Sequence, residues 1–199
     1  CTTDDPVDSL EWHKVLAEDD TFEVKVLPAW RPDKAMNIEK PEYLDYLKTL
    51  SDVSGITVNS FASLMDALRN RMEFFASMGC CVSDHALEYV MYKPYTTEEI
   101  EKIFAKRFAG ETITVDEMNK FKTAFMVSVG KEYNKLNWVM QLHYGTIRDN
   151  NTLRYNQLGP DTGYDCINTY DCSAEMAQFL NALNITDELP KTIIYSLNP

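Results

Sequence analysis

The stretch WVMQLHYGTIRDNN, residues 138–151, runs from a short apolar segment into a histidine and a glycine. It then enters a polar loop with an arginine and paired asparagines. An apolar run closed by a glycine and a polar loop is the pattern of a strand that delivers its last side chains to one end of a sheet. His143, one of only three histidines in the chain, stands at such an end. On its own it reads either as a packed histidine that stabilises the strand end or as a working residue at the mouth of a site. A lone imidazole with no HxH or HExxH partner set favours the packed reading.

Working outward, the arrangement recurs. FEVKVLP (22–28) has the β-branched character and length of a strand, stopped by Pro28. GCCVSDH (79–85) and KTIIYSLNP (191–199) are further short runs, and CTTDDP (1–6) reads as the tail of a strand. Between them lie helical patterns. Phe61, Leu64, Met65, Leu68, Met72 and Phe75 share one face of a helix, and Ile100, Ile103, Phe104 and Phe108 share another. Thr114 and Glu117 have capping-box spacing ahead of a stripe of Met118, Phe121, Phe125 and Val129. A last helix opens at a Ser173 cap and buries Met176, Phe179, Leu180 and Leu183. These Met and aromatic stripes are core packing.

Strand and helix alternating without a run of hairpins indicates parallel βα units. The choice between an open doubly wound sheet and a barrel rests on where the polar residues fall. They sit at successive strand ends: Asp4 and Asp5, then Trp30, Arg31 and Asp33, then Asp84 and His85, then His143, then Asn198. In a βα barrel all strand C-termini open on one face, so this pattern favours a barrel. No GxGxxG or GxxxxGK[ST] loop is present to support a nucleotide-binding open sheet.

Each of these residues also has a structural reading. Asp4 and Asp5 before Pro6 could cap a helix, and so could Asp33. Arg31, between a tryptophan and a proline, could grip a carboxylate with its planar fork or pair with Asp33 or a neighbour. Asp84 and His85 could form a structural contact or take part in catalysis. His13, beside Trp12, reads as structural.

The totals narrow the classes. A net charge of -12 over 199 residues argues against a nucleic-acid surface. No apolar run approaches the roughly 20 residues needed to span a bilayer. Five cysteines, with one adjacent pair and no CxxC spacing, do not read as a disulfide framework or a zinc site, which suggests a reducing cytoplasm. The two glycosylation sequons, at Asn150 and Asn184, are then chance matches. The start at CTTDDP and the end at YSLNP suggest a piece of a longer protein.

Assembled in order, the segments CTTDDPVDSLEWH, KVLPAWRPDKAMNIEKP, GCCVSDHALEYVMY, AGETIT, QLHYGTIRDNNT, LGPDTGYDCIN and LPKTIIYSLNP resemble the uronate isomerase (glucuronate isomerase) family of the amidohydrolase superfamily. The resemblance covers the whole chain. It implies an α/β fold, a distorted (β/α)8 TIM-type barrel, of which residues 1–199 are a single partial barrel domain holding about strands two to six. Residues 94–134 would be a helical insertion between two barrel strands. The implied activity is aldose–ketose isomerisation of D-glucuronate to D-fructuronate, and of D-galacturonate to D-tagaturonate, by proton transfer through an enediol.

The resemblance also implies residue roles. His143, Asp84 and His85 are the expected catalytic group, and Arg31, Trp30, Arg148 and Asn150 the expected substrate-binding group, with Asn151 beside them. Arg31 would meet the substrate carboxylate. His143 would lie at or near a divalent metal, zinc by expectation, whose other ligands fall outside these residues. The implied partner is a small hexuronate, with no nucleic acid and no membrane; a homo-oligomer is among the assemblies allowed. The competing readings are a non-catalytic fragment, with the 199 residues inactive alone, and another metal-dependent hydrolase of the superfamily.

Overall fold

The computed structural model describes residues 1–160 and 162–196. Asn198, expected at a strand end, lies outside the described residues. Four helices come first: α1 (Glu11–Ala17), α2 (Asp33–Met36), α3 (Tyr43–Ser54) and α4 (Phe61–Ser77). Strand β1 (Val82–Ala86) is followed by α5 (Thr97–Phe108) and α6 (Val115–Lys135), then by β2 (Val139–Tyr144). The rest is β3 (Thr146–Ile147), α7 (Thr152–Leu158), β4 (Cys166–Ile167), α8 (Ser173–Asn184) and β5 (Thr192–Ser196).

The main sheet has the order β1-β2-β5, and every pair is parallel. Two single-residue bridges extend it past β1: Trp30 pairs with Ser83, and Asp4 pairs with Trp30, both parallel. Five segments therefore lie side by side in the order in which the chain makes them. Helices connect them because parallel neighbours need a long crossover.

The second segment is not where its composition put it. FEVKVLP forms no strand, and Phe22 and Val24 are exposed. The pairing instead runs through Pro28 to Arg31, with Ala29 N–H donating to Thr2 O at 3.0 Å and Arg31 N–H to Asp4 O at 2.9 Å. Towards β1 the first bond is Trp30 N–H to Val82 O, at 3.0 Å. Pro28 has the same parity as Trp30, so its missing N–H falls on the β1 side, just ahead of where that pairing begins. Proline delays one ladder and spares the other.

Three other expectations need correction. Asp4 and Asp5 cap no helix. Asp5 instead closes a turn, accepting from Val7 N–H and donating its own N–H to Asp8, and α1 begins only at Glu11. Ser173 is the first residue of α8, not its cap; its N–H is taken by Asp171 Oδ1 at 3.1 Å. Phe108 ends α5 half-exposed, stacked on the outer side of Phe104. The short antiparallel pair β3–β4 also departs from a purely parallel alternation.

The remaining helices follow their patterns. α4 buries Leu64, Met65, Leu68, Met72 and Phe75, and α6 buries Phe121, Phe125 and Val129. α3, with Tyr43, Tyr46, Leu47 and Leu50 inward, has the same spacing. The turn from α4 into β1 needs glycine: Gly79 has φ 86°, and a Cβ there would lie 2.9 Å from Leu27 Cδ2. The apolar side of the sheet packs on α4 and α6 through Trp30, Phe75, Tyr133 and Trp138, with Trp30 and Phe75 edge to face at 4.9 Å.

The helices between β1 and β2 each carry a complete capping box, Thr96 with Glu99 and Thr114 with Glu117. The Thr114 backbone N–H, followed by the Lys106 ammonium, lowers the Glu117 carboxyl from 4.5 to about 2. A carboxylate depressed on folding adds stability that is present above its unfolded value and lost as pH falls through its folded value. Acid unfolding should therefore show a component between pH 4.5 and about 2. Glu117→Gln should remove it, as followed by the denaturation midpoint against pH.

Candidate functional site at the strand ends

Successive residues of a strand point to opposite faces, and paired residues of parallel neighbours point to the same one. The register pairs Asp84 with Gln141, His85 with Leu142, and Ala86 with His143. Asp84 and His143 therefore share one face, while His85 goes to the other with Ser83, Met140 and Leu142, all four fully buried. The Trp30–Ser83 bridge puts Trp30 on that buried face and Arg31 on the open one. The β2–β5 register sets Tyr195 beside His143.

On the open face the groups converge on Asp84. An Arg31 terminal nitrogen donates to Asp84 Oδ2, which also accepts from Thr3 Oγ1 at 3.2 Å. His143 Nε2 lies 3.1 Å from Asp84 Oδ1. Tyr195 stacks on the His143 ring, with centroids 4.4 Å apart and planes 5° from parallel. Arg31 Nε is 3.9 Å from Asp33 Oδ2, so two carboxylates flank the guanidinium. The Arg31 side chain remains 35% exposed and the His143 side chain 42%, so both can meet a ligand.

Above these groups is an open cavity of about 620 Å³, lined by Arg31, His143, Arg148, Asp165, Tyr195 and their neighbours. A second hollow of about 340 Å³ shares Arg31 and is lined by Thr3, Asp5, Asp33 and Lys34. Arg31 thus stands on the ridge between two openings. Arg148 reaches the larger one from the loop after β2, where its Nη1 holds Asp165 Oδ2 at 2.9 Å.

Four of the expected site residues fall elsewhere, among them Asn151, whose side chain caps α7 by accepting from Arg154 N–H at 3.1 Å. Trp30 has no exposed surface and is a core residue. His85 is likewise enclosed; its Nε2 meets the Tyr133 hydroxyl at 3.0 Å, and its Nδ1 faces Asp33 Oδ1 at 3.5 Å. Asn150 does not line the cavity. Its amide donates to Ile147 O at 2.6 Å and holds the loop in shape. Sequence reading passed over Thr3, Asp165 and Tyr195. For Thr3 and Tyr195 the signal was the period-two alternation, which places each on the same face as its working neighbours.

The described residues do not by themselves make up a metal's ligand set. Among the described residues, no three of His, Cys, Asp and Glu gather as a metal ion requires. His143 Nε2 and Asp84 Oδ1 supply only two candidate ligands, 3.1 Å apart.

Known proteins resemble this chain over its whole length. The family model described as glucuronate isomerase matches residues 1–199. The chain belongs to the glucuronate isomerase family. It is 86% identical over 199 residues to the uronate isomerase of Lachnospira eligens and 74% identical to that of Lachnoclostridium phytofermentans. All of this chain is covered in both matches, but it spans only 42% and 43% of those curated relatives. The crystal structure of uronate isomerase from Thermotoga maritima superposes with a TM-score of 0.92 at 36% identity, over 100% of this chain and 44% of that one. The glucuronate isomerase of Caulobacter crescentus superposes with a TM-score of 0.88 at 26% identity, over 98% of this chain and 40% of that one. No helix among the described residues is long and apolar enough to cross a membrane.

The placement of Trp30 has a measurable consequence. Trp30→Ala should cost about 3–5 kcal/mol of stability through the cavity it leaves between Phe75 and Trp138. Equilibrium urea unfolding reads this directly; a smaller cost accompanied by weakened ligand binding would return Trp30 to the site.

Proposed function

We propose that this chain forms one side of a uronate isomerase site, interconverting an aldose and a ketose form of a hexuronate. D-glucuronate with D-fructuronate is the first pair, and D-galacturonate with D-tagaturonate the second. The observation that carries the proposal is Arg31, fixed between Asp84 and Asp33 at the edge of the cavity, facing a histidine backed by the same Asp84.

The barrel is part of the same proposal. An open doubly wound sheet reverses its strand order once, at the point where ligands bind. The five parallel segments here run in chain order, as barrel strands do. Residues 94–134, which contain α5 and α6, then form an enlarged crossover between two barrel strands.

The chemistry makes two demands that these residues can meet. The sugar acid must be oriented by its carboxylate, remote from the reacting carbons. A guanidinium carries five N–H donors in a rigid fork, and Asp84 engages only one end of it. The reaction must also move a proton from C2 to C1 through an enediol. His143, its Nε2 3.1 Å from Asp84 and its ring open to the cavity, is placed to carry or return that proton. Asp84 then serves both residues at once, fixing the clamp and backing the imidazole. Arg148, on the far wall, adds a second positive charge towards an anionic substrate. The divalent metal implied by the family resemblance, zinc by expectation, would need ligands other than the described residues, and no step here depends on it. Free Cys80, Cys81, Cys166 and Cys172 suit a reducing cytoplasm.

In the whole protein that carries this sequence, Arg31→Lys should raise KM for D-glucuronate by about 10- to 100-fold, because a point charge replaces a bidentate fork. kcat should change less. An unchanged KM would remove the carboxylate role from Arg31. Hydrolysis of an amide or ester substrate in place of uronate isomerisation would move the chain to the hydrolase reading.

A further inference from the structure

Behind the sheet, Arg31 is connected to groups that no ligand can reach. Asp33 Oδ2, 3.9 Å from Arg31 Nε, accepts the Ala86 backbone N–H at 3.0 Å, which ties the carboxylate to the last residue of β1. Its other oxygen, Oδ1, is buried and faces His85 Nδ1 at 3.5 Å. That nitrogen is buried too, and neither atom has a hydrogen-bond partner, so the contact between them is electrostatic. On the opposite side of the ring, Nε2 meets the Tyr133 hydroxyl at 3.0 Å.

Burial sets the state of the tyrosine in this chain of groups. Burial pushes the Tyr133 phenol well above its ordinary value, so it keeps its proton. The imidazole is thus held at Nε2 by the phenol, and its Nδ1 faces Asp33 Oδ1. Asp33 is therefore held on one oxygen by backbone, and its other oxygen lies against a side chain that is itself held by Tyr133.

From this geometry we infer that Tyr133, His85 and Asp33 form a buried brace that sets the direction of the Arg31 guanidinium. His85 and Tyr133 are positioning residues that never touch substrate, since both are fully enclosed. Asp84 holds the guanidinium from one side and the braced Asp33 from the other, so the fork cannot swing between the two cavities it borders. This inference rests on the reading of Arg31 as the carboxylate clamp. It assigns the tyrosine of α6, more than one hundred residues away in sequence, to the alignment of a strand-end arginine.

The test uses the whole protein that carries this sequence, with D-glucuronate as substrate and a thermal melt on every variant. Tyr133→Phe removes a single oxygen and should raise KM about 3- to 10-fold with kcat nearly unchanged. His85→Ala should raise KM about tenfold or more. His85→Asn, which keeps a donor near the Nδ1 position, should recover most of that loss. If Tyr133→Phe and both His85 variants keep the parent KM while Arg31→Lys raises it, the brace is overturned and the clamp stands. If Arg31→Lys also leaves KM unchanged, the clamp itself falls. A lowered melting temperature with an unchanged KM would make His85 and Tyr133 packing residues only.

Discussion

The whole arrangement depends on the parallel register that sets Trp30 beside Ser83 and Ala86 beside His143. Because side chains alternate across a sheet, this register sorts neighbouring residues into opposite environments. Arg31 and Asp84 go to the open face, and Trp30 and His85 to the helix-covered one. A one-residue slip would exchange the two sets and place a tryptophan and a buried imidazole where Arg31 and Asp84 belong. The register is held by the apolar side, where Trp30, Met140 and Leu142 are fully buried against α4 and α6. Burial of large apolar groups thus fixes the height and direction of the polar ones.

Asp84 illustrates how few groups carry the electrostatics. It receives Arg31 and Thr3 on one oxygen and faces His143 with the other, while its own side chain is nearly buried. A carboxylate in such a place is tolerated because it is paired and hydrogen-bonded. Arg31 and His143 share this one carboxylate, with Asp33 on the other side of the guanidinium, so the pairing is set by a few groups and not by the chain's net charge of -12. The overall acidity of the molecule and the local character of the site are separate quantities.

Much of the fold was legible in the sequence where packing and capping agree. The stripes of α4 and α6 and the Thr114–Glu117 box required only periodicity and spacing. Strand ends were legible too, since glycine and polar loops mark them. Facing was harder. Asp84 and His85, or Trp30 and Arg31, look equally functional as adjacent letters, and only the alternation of Met140, Gln141, Leu142 and His143 separates the two faces. The strand around Pro28 was misplaced because proline removes one donor, and sequence alone does not tell which neighbouring ladder loses it. Long-range partners such as Tyr133 carried no local signal; they exist only once α6 packs on the sheet.

The two capping boxes between β1 and β2 bear on how this molecule can vary. α5 and α6 each specify their own beginning from residues three apart, without help from the sheet. The turn that joins them, around Gly110, touches none of the strand ends. α6 is anchored at its far end, where Tyr133 enters the core beneath the sheet. Insertions and deletions can therefore accumulate near residues 109–114 and be absorbed as helix length or loop length. The same change inside β1 or β2 would invert a face. Such a division leaves one part of the chain free to drift in size while the other keeps its residue count.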